Sequence, residues 1–77
     1  MYHRLIDDYL THYQPRLKEE LLRAGTLQDY LDEQVTAMQN AKAELLEQMA
    51  RQHPQMSQSQ RELEADQAVR ELFLTPH

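Results

Sequence analysis

The chain has no cysteine and no tryptophan, and its one glycine is Gly25. Without cysteine there is neither a disulfide staple nor a thiolate metal site. A single glycine excludes a glycine-rich phosphate-binding loop. Serine is scarce too: Ser57 and Ser59 both lie in a polar, linker-like stretch, a poor setting for a nucleophile. Basic residues are outnumbered, with 8 Lys and Arg against 13 Asp and Glu, a net charge of −5. That balance argues against direct binding of nucleic acid or an anionic membrane. No apolar run approaches the roughly 20 residues that span a bilayer. Met1 leads straight into an amphipathic pattern without the apolar core of a secretory signal, so the expected location is the cytoplasm. At 77 residues the chain is expected to form one domain, residues 1–77, whose small core stabilises only marginally.

What is present is helix pattern. From Leu27 to Gln52 there is neither glycine nor proline. Advancing about 100° per residue puts Leu27, Leu31, Val35, Met38, Leu45 and Met49 on one stripe, widened by Ala41 and Leu46. Gly25 suits the left-handed residue that ends a preceding helix, and Thr26 suits the cap of the next. Asp29, Asp32 and Glu33 crowd the first turns, where the helix dipole favours negative charge. Pro54 ends the helix by biasing His53 away from helical backbone. Lys42 interrupts the stripe. Its stem can pack while its ammonium reaches water, or it can set the register of a helix–helix contact.

Other helices are expected near residues 3–13, 15–24 and 60–73, with a disordered tail at 75–77. In the first, Tyr2, Leu5, Ile6, Tyr9 and Tyr13 share a face with Leu10 at its edge. Around Pro15, residues 3–24 read either as one kinked helix or as two helices; a break near Gln14 is favoured, with Pro15 at the first position of the second helix. Ser59 with Glu62 reads as a capping box for the last helix. The face of that helix is Ala65, Ala68, Val69 and Leu72, with Phe73 at the edge, while Leu63 and Leu74 point the opposite way. The expected fold class is an all-α bundle of three to four helices organised on one long central helix.

Few constellations suggest chemistry. His3 with Asp7 and Asp8 with His12 have ligand spacing on a helix, but the two histidines fall roughly 180° apart and each pair supplies two ligands at most. No metal, cofactor or catalytic residue is expected, and no enzymatic activity. The helix–turn–helix outline around Gly25 invites a DNA-binding reading. Yet the reading helix would begin with Asp29, Asp32 and Glu33, which phosphates repel, and Arg16, Lys18 and Arg23 are interleaved with Glu19 and Glu20.

The order Tyr9-Leu10-Thr11-His12-Tyr13-Gln14-Pro15, then Leu21-Leu22-Arg23-Ala24-Gly25-Thr26-Leu27 and Tyr30-Leu31, then Gln48-Met49-Ala50 and Ala65 through Leu72 resembles the small transposon-encoded TnpV-like proteins of bacteria. The resemblance covers most of the chain. It implies an accessory protein of a mobile element or prophage, acting through a protein partner, and it carries over no catalytic residues. A DNA-associated regulatory factor, or an acidic inhibitor occupying a nucleic-acid-binding surface of a host protein, are the alternatives.

Self-association is the sharpest expectation. The long helix measures roughly 39 Å at 1.5 Å per residue, whereas a compact chain of this size is about 30 Å across. Its stripe therefore has apolar surface to spare. Val35, Met38, Lys42, Leu45 and Met49 are the expected contact residues of a homodimer, with Lys42 reaching Glu44 or Glu47 of an antiparallel second copy.

Overall fold

The computed structural model describes residues 2–75. Four helices follow in order: α1 (Tyr2–Tyr13), α2 (Pro15–Ala24), α3 (Leu27–Gln52) and α4 (Gln58–Leu74). The chain is all-α, with α3 the longest helix at 26 residues. Of the expected disordered tail, Thr75 is held: its hydroxyl donates to the Glu71 carbonyl at the end of α4. Pro76 and His77 lie outside the described residues.

Local chemistry sets the boundaries. At Gln14 the backbone leaves the helical region (φ −138°, ψ 56°). Its N–H still donates to the Leu10 carbonyl at 3.0 Å, and its own carbonyl accepts from Lys18 N–H at 3.1 Å, so it closes α1 and opens α2. Pro15 then loses nothing by lacking an N–H. Gly25 ends α2 at φ 71°. Its N–H donates to the Leu22 carbonyl at 3.2 Å and Thr26 N–H donates to the Leu21 carbonyl at 3.0 Å. This is the paired closure that needs a left-handed residue after the helix. The Thr26 carbonyl then accepts from Tyr30 N–H at 3.0 Å. The start of α4 differs from expectation. Ser57, not Ser59, is the cap: it has extended backbone, and its Oγ accepts from Gln60 N–H at 3.2 Å. Both serines are followed three residues later by a side chain able to cap, so spacing alone did not separate them.

The chain forms two compact units that divide inside α3, between Ala37 and Met38. The first holds α1, α2 and the first part of α3. Tyr2, Ile6 and Leu10 of α1 and Leu31 and Val35 of α3 are its buried side chains. α2 contributes no fully buried residue; its Leu17, Lys18 and Leu21 are half-buried. Two positions on α1 correct the expectation. Leu10, placed at the edge of the face, is 1% exposed, while Tyr13, placed on the face, is 57% exposed. At about 100° per residue Tyr13 falls inside the stripe of Tyr2, Ile6 and Leu10, but it is the last residue of α1, so its angle suits burial while its place at the helix end does not. Tyr13 instead leans on Tyr9, ring centroids 5.2 Å apart.

The second unit is the rest of α3 with α4. Met38, Ala65 and Val69 are completely buried. Leu45, Leu46 and Met49 of α3 and Ala68 and Phe73 of α4 are half-buried. Leu72, expected on the α4 face, is 66% exposed. It has the right angle but sits in the last turn, and burial there depends on what lies opposite. Leu63 is exposed, as its angle implies, but Leu74, expected beside it, is half-buried.

Candidate interaction surface

The five expected contact residues separate into two groups. Val35 is buried in the first unit and Met38 in the second, so neither offers surface to a second copy. Lys42, Leu45 and Met49 are half-buried in the second unit.

Lys42 is half-buried, and its Nζ lies 3.9 Å from Oδ1 of Asp66 on α4. The other oxygen of Asp66 is 2.9 Å from Nε of Arg70. One carboxylate thus faces two cations, and the lysine is the looser of the two. An ion pair at this length and exposure contributes on the order of 0.5 kcal/mol or less. An antiparallel partner's Glu44 or Glu47 would have to compete with Asp66 for Lys42.

Beyond these residues, open grooves lie along the described part of the α3–α4 hairpin, and two bear on its surface chemistry. One, about 420 Å³, is lined by Gln52, His53, Pro54, Gln55, Met56 and Gln60. The turn beneath it is closed by His53 N–H to the Met49 carbonyl at 2.7 Å and Met56 N–H to the His53 carbonyl at 3.1 Å. Its polar lining is amides and one imidazole, with no carboxylate or hydroxyl to serve as acid, base or nucleophile partner. The smaller groove, about 200 Å³, is lined by Leu46, Ala50, Gln58, Arg61 and Glu62. Sequence reasoning reached Leu46 only as a widening of the stripe. It missed Ala50 and Arg61, because a short residue and a charged one carry no apolar signal.

The suspected ligand pairs are engaged elsewhere. His3 Nε2 lies 2.7 Å from Asp32 Oδ1 on α3. Asp7 faces Lys18 Nζ at 2.9 Å, and the same ammonium donates to Thr11 Oγ1 at 2.8 Å. His12 Nδ1 meets the Asp8 backbone carbonyl at 2.8 Å, not its carboxylate. Among the described residues no group of three or more His, Cys, Asp or Glu side chains could hold a metal. The hydrogen bond with His3, and a second donated by Gln28 at 3.0 Å, hold the Asp32 carboxyl below its ordinary range. The His3–Asp32 contact spans 29 positions, and nothing in the local pattern announces it.

On α2, Arg23 is paired with Glu19 at 2.7 Å and Lys18 with Asp7, so two of the three cations near the turn face acids of the chain itself. Asp29 and Glu33 are exposed at the start of α3. Among the described residues no helix is long and apolar enough to cross a membrane. No family model matches this chain, nor does any curated protein or solved structure.

Proposed function

We propose that this is a non-catalytic interaction protein of the cytoplasm, a small accessory factor of the kind encoded by bacterial mobile elements and prophages, which works as a homodimer that engages a further protein. The observation that carries the reading is the C-terminal half of α3. Leu45, Leu46 and Met49 are only half-buried there, although they continue the stripe that is buried at Leu31, Val35 and Met38. Half-covered apolar surface on a marginally stable chain favours association, since a second copy adds core. The resemblance to TnpV-like proteins supports the mobile-element setting.

Light scattering on a sizing column tests it. A mass near twice 9.2 kDa at tens of micromolar is expected, and a monomer at that concentration overturns the homodimer. Leu45→Glu should dissociate or unfold the dimer, whereas Glu33→Gln, on an exposed position, should do neither. A second reading, the acidic inhibitor, is favoured by the exposed Asp29, Asp32 and Glu33 on α3. Displacement of duplex DNA from a captured host protein would support it. Direct DNA association, by contrast, would weaken steeply with added salt.

A further inference from the structure

The seam first expected to join two copies is largely consumed within the chain, and this shifts the contact around α3. Met38 is completely buried and Lys42 is turned toward Asp66. Part of the apolar surface that remains on α3 is the flank carrying Leu46 and Ala50, which lines a groove with Gln58, Arg61 and Glu62 of α4. We propose, building on the homodimer reading, that two α3–α4 hairpins pack through this flank about a twofold axis, with Arg61 of each copy opposite Glu62 of the other.

Three features select a second copy as the occupant. A twofold contact presents the same patch from both sides, so the patch must complement itself. This one can: its lining is apolar at Leu46 and Ala50, with one cation, one anion and one amide. With one cation and one anion in the lining, a twofold contact can set each Arg61 against a Glu62 without excess charge. Second, the chain as a whole carries −5, and two such chains repel at a distance. A locally neutral patch is where they can meet. Third, Ala50 is small and exposed. Its short side chain lets a neighbouring helix approach closely, while the half-buried Leu46 supplies apolar bulk.

The test is a charge-swap cycle on the full chain, read by light scattering and by sedimentation across a concentration series, with helicity followed by circular dichroism. Arg61→Glu creates two like-charge contacts at once because the axis doubles it. So does Glu62→Arg. Each is expected to raise the dimer dissociation constant at least about tenfold while leaving helicity unchanged. The double variant Arg61→Glu/Glu62→Arg restores the alternation of charge and should recover most of the loss. Recovery is a result that a merely structural role for either residue would not produce. A wild-type dimer that ignores both single swaps, yet dissociates with Leu45→Glu, overturns this arrangement and leaves the homodimer reading standing. Single swaps that weaken the dimer without rescue in the double variant overturn the twofold pairing of Arg61 with Glu62. A wild-type monomer overturns both proposals together.

Discussion

The two compact units solve the same problem with different material. The first has three helical segments and buries Tyr2, Ile6, Leu10, Leu31 and Val35, all of them large. Polar contacts join its helices, from His3 to Asp32 and from Lys18 to Asp7. The second has two helical segments, and beside Met38 its fully buried residues are Ala65 and Val69. An alanine removes little apolar area from water, and the gain scales with that area at about 25 cal/mol per Å². Leu45, Leu46 and Met49 on the facing helix therefore remain half in solvent. A long apolar stripe does not ensure its own burial. The volume presented by the opposing helix decides that.

The sharpest way to break this comparison is at Leu10. Leu10→Ala deletes a side chain that is 1% exposed and should cost about 2–5 kcal/mol, seen as a fall in the denaturant midpoint. Leu72→Ala makes the same chemical change at a residue 66% exposed and should cost about 0.5 kcal/mol or less. Equal losses would mean that the burial pattern of the two units is misassigned.

Next in size is the turn inside the first unit. A side chain added at Gly25 meets nothing within 4 Å, so the cost of Gly25→Val is backbone strain alone at φ 71°. About 1–2 kcal/mol is expected. An unchanged melting temperature would show that the turn can be closed another way. In the second unit the corresponding device is the cap of α4. Ser57→Ala should cost about 1 kcal/mol, and Ser59→Ala should be close to silent. The reverse order would restore the capping box suggested by Ser59 and Glu62.

The smallest effect concerns Asp32. Its carboxyl is held below the ordinary range, first by the hydrogen bond with His3 and then by that from Gln28. A carboxyl depressed in the folded state binds its proton less readily there than in the unfolded chain. Its contribution is therefore complete above the unfolded value of about 4 and is lost as pH falls through the folded value. Asp32→Asn should flatten the acid limb of the stability–pH curve, whereas Ser57→Ala and Leu72→Ala should keep the wild-type slope and serve as reference points. A wild-type and variant with identical slopes below about pH 4 would remove this contact from the first unit's account.

Helix boundaries could be read from the residues because the forces that set them act within a few positions. Pro15 fixes its own φ and needs no N–H at the start of α2. Gly25 tolerates the left-handed turn that closes that helix. Pro54 biases His53 out of helical backbone just after α3. The all-α class and the length of α3 follow from those stops and from spacing. What lies on either side of a helix does not follow. Leu10 became core and Tyr13 surface; Leu72 stayed in solvent at an angle that suited burial. Ser57 capped α4 in place of its near neighbour. His3 found Asp32 across 29 positions, and Lys42 found Asp66 on α4. Each of these outcomes depends on which side chain arrives from a segment remote in sequence, and on its volume and charge when it arrives. Local spacing carries no record of that, so only the packed structure could decide it.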